Sequence, residues 1–477
     1  MDNTKEKTKV LVASPEVMPF GGTGGLGEVA GSLPRAVNHM EDSEIECRVI
    51  MPLYGSVKPE WREKMTFLGY KDIPVAWRSQ YMGIFELEKD GVIYYFVDNE
   101  YYFKRGKLYG FYDDCERFSF FSRAVIESAD ITGFMPDIIH ANDWQTALSV
   151  VFAKTVYANL GIKTVFTIHN VEYQGRYGKD VLGECIGIDE SDFHYLMKDG
   201  DVNLMKGAIL LTDRLTTVSP TYARELTYPV SAFGLDDVIR DNEYKMVGIL
   251  NGIDTVSYDP MNDPFIGYTY SSANIRGKRW CKRALQKKLE LPQTDAPMLT
   301  MISRLVAPKG VDIIAMIMDY LLDNYDIQFV MLGTGDEEYE NYFRDLQYRY
   351  PEKVRSLIEF NTRTAHEIYA AGDMLLMPSR SEACGLAQMI GCRYGNAPIV
   401  RLTGGLADSI KEWDGESGNG FTFFEFNGGE LEYAIRRALN LYEDKRKWNV
   451  LVKHILDEDF TWDRAAKEYH KLFSELA

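Results

Sequence analysis

Asp137-Ile-Ile-His-Ala-Asn-Asp143 and Thr164-Val-Phe-Thr-Ile-His-Asn170 each run from a short apolar stretch into polar side chains. The same grammar recurs along the chain, at 10–13, 47–52, 92–97, 215–218 and 246–250. After Pro260 it restarts at 298–303, 328–332, 355–360, 374–377 and 398–401. Apolar runs of four to eight residues alternating with longer segments of helical period predict βαβ units and mostly parallel sheets. The run 251–264 (NGIDTVSYDPMNDP) has the Gly, Asp, Asn and Pro content of an interdomain connection and hinge.

The expectation is therefore an α/β protein with two Rossmann-like domains, 1–258 and 259–455. A terminal segment, 456–477, places Tyr469, Leu472, Phe473 and Leu476 on one helical face and is expected to pack back on the first domain. Polar residues gather just past the runs, as at Ser303-Arg304, Gly333-Thr-Gly-Asp336, Pro378-Ser-Arg-Ser-Glu382 and Thr403-Gly404-Gly405. Ligands of open α/β sheets bind outside the carboxyl ends of the strands, so two such sheets facing each other would enclose a deep cleft.

Composition narrows the partners. A chain of 477 residues exceeds what one core supports, and its formal charge of −18 with no long Lys/Arg run disfavours nucleic acid and anionic lipid. No apolar run is long enough for a membrane span and the first residues do not resemble a leader, which predicts a cytoplasmic protein. Six scattered cysteines form no C-x-x-C pair or zinc spacing, so reduced thiols and no metal site are expected. Asp113-Asp114 and Asp457-Glu-Asp459 are assigned to solvated faces.

Gly22-Thr-Gly-Gly-Leu-Gly27 satisfies G-x-G-x-x-G between a strand and a helix. A nicotinamide or flavin fingerprint also needs an acid at the end of the second strand, where this chain has Met51-Pro52-Leu53-Tyr54. Turn geometry and a phosphate- or sugar-approaching loop remain as readings. Arg304 and Lys309 flank a strand-to-helix turn and suit a diphosphate, the Arg by paired hydrogen bonds and the Lys as a point charge, unless they are ordinary surface cations. Glu382 is expected at a helix start, as a cap or beside an anion held by the N–H groups of Gly385 and Leu386. Arg401-Leu-Thr-Gly-Gly-Leu-Ala-Asp408 adds a second glycine-rich loop. His140, Asp143, His169 and Asn170 come from two neighbouring strand ends; the Asp and Asn suit sugar hydroxyls, and His169 is expected to donate to a hydroxyl or hold developing charge.

These motifs together resemble the bacterial glycogen synthases and plant starch synthases, of the glycosyltransferase B (GT-B) fold. The resemblance rests on GTGGLGEVAGSLPRAV (22–37), HANDWQTAL (140–148), TIHNVEYQG (167–175), TVSPTYARE (217–225), ILNGID (249–254), SRLVAPKG (303–310), PSRSEACGLAQM (378–389) and RYGNAPIVRLTGGLAD (393–408). It implies retaining, metal- and cofactor-free transfer of glucose from ADP-glucose or UDP-glucose to an α-1,4-glucan, with oligomers possible. Arg304 and Lys309 would hold the diphosphate and Glu382 the donor sugar. Asp143, His169 and Asn170 would shape the glucose site. Glu16, Gly24, Gly25, Cys384, Gly385, Leu386, Thr403, Gly404 and Gly405 would join the substrate-binding residues. Phe360 stands where the family usually has a Tyr stacked on adenine. One departure stands out: where the family's loop reads Lys-x-Gly-Gly-Leu, this chain has Gly22. Losing that lysine removes a charge-assisted contact, about 1.5–3 kcal/mol, and makes a low-activity or glucan-binding relative, or a same-fold transferase with another acceptor, the alternatives.

Overall fold

The apolar runs fold as strands buried on both faces, the condition under which a parallel strand reads as continuously hydrophobic rather than alternating. A computed structural model describes residues 6–22, 24–41 and 43–477. Thr23 of the glycine-rich loop and the first five residues lie outside the described residues. The chain forms two compact units, Met1–Gly252 with Trp462–Ala477, and Ile253–Thr461.

The first unit is built on β1 (Thr8–Ala13), β2 (Ile45–Pro52), β3 (Thr66–Val75), β4 (Arg78–Lys89), β5 (Val92–Asp98), β6 (Ile138–Asn142), β7 (Lys163–Ile168), a small three-stranded sheet of β8 (Arg176–Tyr177), β9 (Met197–Lys198) and β10 (Asp201–Asn203), then β11 (Arg214–Thr217) and β12 (Met246–Gly248). The large sheet is nine-stranded, in the order β12-β11-β7-β6-β1-β2-β5-β4-β3. Its pairs from β12 to β5 are parallel. β4 and β3 extend it antiparallel. This extension was not foreseen, because β3 is largely exposed and shows no apolar run. The turn from β4 to β5 uses Asp90 and Gly91, both at positive φ (51° and 74°), the backbone a two-residue hairpin requires.

In this order β1 has β2 on one side and β6 on the other, so the chain leaves β1 in opposite directions across the sheet. A crevice opens at such a switch point. The loops after β1 and β6 flank it.

The second unit has β13 (Met298–Ile302), β14 (Gln328–Leu332), β15 (Val354–Leu357), β16 (Met374–Met377), β17 (Ala397–Arg401) and β18 (Phe421–Phe423), in the parallel order β15-β14-β13-β16-β17-β18. Leu285, Leu291, Met298, Val330, Leu332, Ile368 and Ala371 form one of its buried clusters. The switch point falls between β13 and β16, so the loops after those strands flank its crevice. Each unit is thus a doubly wound α/β fold.

The last helix, Asp463–Ser474, belongs to the first unit. Tyr469 and Phe473 set their rings 5.4 and 5.7 Å from the His140 ring, beneath β6. The chain passes between units after Gly252 and again after Thr461, rather than at 258 and 456, because Ile253 N–H donates to Phe460 C=O (2.9 Å) and ties the two crossing segments into the second unit. The remainder of 251–264 is no free linker: Asp263 is fully buried, accepting from Tyr394 Oη (2.5 Å) with His366 Nδ1 2.7 Å away, and Asp259 pairs with Arg393. Among the described residues no helix is long and apolar enough to cross a membrane, and the six cysteines are free.

Candidate functional site

In the second unit the strand-end loops close on one another through glycine. A Cβ on Gly310 would stand 2.1 Å from the Pro378 carbonyl, and one on Gly404 1.9 Å from the Glu382 carbonyl. Both residues have positive φ (74° and 43°), so no larger residue could hold these loops together. Gly405 N–H donates to the carbonyls of Glu382 and Ala383. Arg401, at the end of β17, donates through Nε to Ser379 C=O (2.8 Å) and through Nη2 to Arg380 C=O (2.5 Å). The loops 303–310, 378–386 and 403–405 therefore form one preorganised surface at the switch point.

Lys309 Nζ lies 2.5 Å from Glu382 Oε2, and Ser379 Oγ donates to the same oxygen at 3.0 Å. Both side chains of the ion pair are mostly covered, at 20% and 11% exposure. Glu382 is therefore not a helix cap: the helix Ala387–Arg393 begins later, and the carboxylate is occupied by Lys309 and Ser379. The Gly385 and Leu386 N–H groups have no acceptor among the described residues. Arg304 is exposed, and its guanidinium has no hydrogen-bond or ion-pair partner among the described residues. Thr403 is buried at the start of the helix Gly404–Ser409, and buried Cys384 contributes its backbone, which Gly405 packs against. Phe360 lies past the end of β15 and is 92% exposed, two strands from the switch point. The strand expected over 355–360 stops at Leu357.

In the first unit Asp143 follows β6 with φ 56° and ψ 178°, a backbone conformation rarely tolerated outside glycine and costing about 1–3 kcal/mol. The compensation is local. Asp143 Oδ1 accepts the His169 N–H (2.7 Å) and the Asn170 N–H (3.3 Å), so the carboxylate is aimed across the end of β7. Burial pushes its carboxyl up to about 7, against the pull of those two N–H groups, with Glu16 adding repulsion. Burial, aided by neighbouring His140, pushes His169 down to about 3. His169 is thus a neutral imidazole at physiological pH, not a formal positive charge. Its Nε2 lies 2.9 Å from Asn142 Oδ1.

His140, grouped with these residues from sequence, is instead part of the core. It is 1% exposed, meets Thr167 Oγ1 at 2.6 Å, and faces the rings of Tyr469 and Phe473. The acidic pair Asp113-Asp114 is likewise not solvated. Arg105 grips Asp113 with two bonds of 2.6 Å, and Asp114 pairs with fully buried Arg117 at 2.5 Å.

On the β1 side, Glu16 is 2% exposed and accepts a hydrogen bond from the Tyr109 hydroxyl. A Cβ on Gly22 would sit 3.5 Å from Glu16 Oε2 and 3.2 Å from Met18 Sδ, so a longer side chain there would start beside that carboxylate. Gly24 and Gly25 open the helix Gly25–Asn38. The fold thus gathers Glu16, Gly24, Gly25, Asp143, His169 and Asn170 at one switch point. It gathers Arg304, Lys309, Glu382, Cys384, Gly385, Leu386, Thr403, Gly404 and Gly405 at the other. Sequence reasoning missed Asn142 and Ser379, which lie inside motifs already singled out, and Tyr109, which no local signal connects to Glu16. Among the described residues no three or more His, Cys, Asp or Glu side chains are grouped to hold a metal ion.

The family description "Starch synthase catalytic domain" matches residues 9–241, and "Glycosyl transferases group 1" matches 282–450. The chain is 42% identical to a glycogen synthase of Bacillus subtilis, with 98% of each chain covered, and 44% identical to one of Clostridium botulinum, covering 98% of this chain and 99% of that one. The chain belongs to the glycogen and starch synthase family. It is a glycosyltransferase with the two-domain α/β GT-B fold. The catalytic domain of starch synthase IV from Arabidopsis thaliana, bound to ADP and acarbose, superposes with a TM-score of 0.90 at 34% identity over 98% of this chain and 99% of that one. Sucrose-phosphate synthase from Thermosynechococcus elongatus, at 16% identity and a TM-score of 0.61 over 98% and 99% of the two chains, shares the fold alone.

Proposed function

We propose that the chain elongates an α-1,4-glucan by transferring glucose, with retention, from ADP-glucose or UDP-glucose to a non-reducing end. The reading rests above all on one observation: the second unit's switch point holds a preformed Lys309–Glu382 pair, with Arg304 in the same loop as Lys309 exposed and its guanidinium without a partner among the described residues. That arrangement suits a group which must grip a sugar and release a diphosphate. The related starch synthase IV was bound to ADP and acarbose, a nucleoside diphosphate and an oligosaccharide.

The acceptor's 4-hydroxyl attacks the donor's anomeric carbon as the bond to the β-phosphate oxygen breaks. The hydroxyl proton passes to that departing oxygen on the same face, which preserves the anomeric configuration. Arg304 and Lys309 stabilise the charge growing on the diphosphate, aided by the N–H groups of Gly385 and Leu386, which have no acceptor among the described residues. Glu382, held by Ser379, orients the donor sugar. Asp143, His169 and Asn170 bind glucose hydroxyls, and Glu16 with the Gly24–Gly25 backbone lines the adjoining loop. In this reading Arg304 and Lys309 supply the charge stabilisation a metal would otherwise give, so chelation is expected to leave the rate unchanged. The cytoplasm, where nucleotide sugars are made, is the compartment this reading requires.

Gly22 favours one second reading, a glucan-binding relative with weak turnover, since the loop beside Glu16 carries no cation. Nucleoside diphosphate release from ADP-glucose and UDP-glucose, with and without glycogen, decides between them. Glycogen-dependent release supports the synthase. Glycogen binding without release, and release that appears in Gly22→Lys, supports the second reading.

A further inference from the structure

Asn142 is buried at 1% exposure, at the last position of β6, and its amide is fully committed. Nδ2 donates to the carbonyls of Ala13 (3.1 Å) and His140 (3.2 Å), and Oδ1 faces His169 Nε2 at 2.9 Å. The orientation of this amide is determined by chemistry. Turned over, it would set Oδ1 against two carbonyl oxygens and Nδ2 against the imidazole, leaving acceptors facing an acceptor. Because a carboxamide oxygen only accepts, the hydrogen on the Asn142–His169 contact must be on Nε2. A neutral imidazole carries one N–H, so Nδ1 is left with its lone pair. His169 is neutral over the working range, so a second proton does not enter.

Two adjacent residues therefore pin His169 from both ends. Asp143 holds its backbone N–H, and Asn142 holds its ring. Nδ1 is bonded to no group among the described residues and is not among the buried unpartnered atoms, so it stands open at the edge of the site. We propose that Asn142 is a positioning residue that locks His169 as the Nε2–H tautomer, so that Nδ1 accepts a hydrogen bond from a sugar hydroxyl. The direction of that bond is opposite to the donation expected from sequence. An acceptor selects a substrate carrying a hydroxyl at that point and rejects one with a methyl ether or hydrogen there. The second half of this proposal rests on His169 lining the glucose site.

The test pairs a tautomer measurement with kinetics on the full-length protein. Long-range nitrogen–proton correlation spectra of chains labelled with nitrogen-15 histidine, with His169 assigned by comparison with His169→Gln, report which ring nitrogen is protonated. Nε2–H, unchanged from pH 5.5 to 8, is expected. Asn142→Leu, whose folding is checked by thermal melting, removes the acceptor; it is expected to mix the tautomers and to raise KM for the nucleotide sugar roughly ten-fold with a smaller change in kcat. Asn142→Asp still accepts from Nε2 but favours the imidazolium, so His169 is expected to titrate within that range, with kcat/KM falling as pH falls because Nδ1 gains a hydrogen. Finding Nδ1–H in the wild type, or an unaltered tautomer in Asn142→Leu, overturns the assignment of Asn142. An altered tautomer with unaltered KM and kcat leaves that assignment standing and overturns the placement of His169 against the sugar.

Discussion

Replacing Lys309 and Arg304 one at a time separates catalysis from stability in a way the structure makes quantitative. Lys309→Ala removes the partner 2.5 Å from Glu382, a carboxylate only 11% exposed and left with the Ser379 hydroxyl alone. Stripping a mostly covered charge of its partner costs about 1–3 kcal/mol of stability, before any effect on the reaction. The same substitution removes a charge-assisted contact to the diphosphate, about 1.5–3 kcal/mol, or roughly ten- to a hundred-fold in kcat/KM. Arg304→Ala removes an equal contact to the diphosphate. It breaks nothing in the resting protein, because Arg304 is exposed and unpartnered among the described residues, so its cost in stability is within about 0.5 kcal/mol. The two variants should thus match in lost turnover and differ in denaturation midpoint. Urea unfolding alongside diphosphate release from the nucleotide sugar makes the comparison. Wild-type release in Lys309→Ala, or an Arg304→Ala chain as destabilised as Lys309→Ala, would refute the roles given to both.

Near pH 5 the unfolded chain protonates His140 and His169 while the folded chain, holding both down at about 3, does not. Their stability is complete above the ordinary value of about 6.5 and falls away as the solution is acidified toward 3. Asp143 acts oppositely: pushed up to about 7, it favours the fold at low pH and loses that contribution as pH rises from about 4 through 7. Two histidines against one carboxyl leave a net rise of about 1.4 kcal/mol per pH unit from these groups; His140→Leu should flatten it and Asp143→Asn should roughly double it, read from urea midpoints between pH 4.5 and 5.5. Asp263→Ala leaves His366 and Tyr394 facing an empty position in the core, which, at about 1–3 kcal/mol for each buried group left unsatisfied, should destabilise the second unit and lower its melting transition; an unchanged transition would mean that this end of the 251–264 segment is not anchored as described.

Much of the fold was legible because parallel strands covered on both faces must be apolar along their length. Runs such as 328–332 and 374–377 coincide with β14 and β16 to the residue. The edge strand β3 escaped notice because an exposed antiparallel edge carries no such run, and β4, only partly covered, reads no more clearly; the Asp90-Gly91 turn marks the β4–β5 hairpin alone. His140 looked functional from its position beside Asp143, but a β6 side chain at that register points under the sheet, where Tyr469 and Phe473 of the final helix cover it.

The sequence by itself determined which chemistry was available: cations, carboxylates and glycines placed where strands end, twice over, in two α/β halves. Which of those groups meet was decided only in three dimensions. Strand order is set by hydrogen bonds between segments far apart in the chain, and no local period records it. That order places β1 beside β6 and β13 beside β16, opening a switch point in each half. It then brings Lys309 to Glu382 across 73 positions, Tyr109 to Glu16 across 93, and His169 to Asn142 across 27.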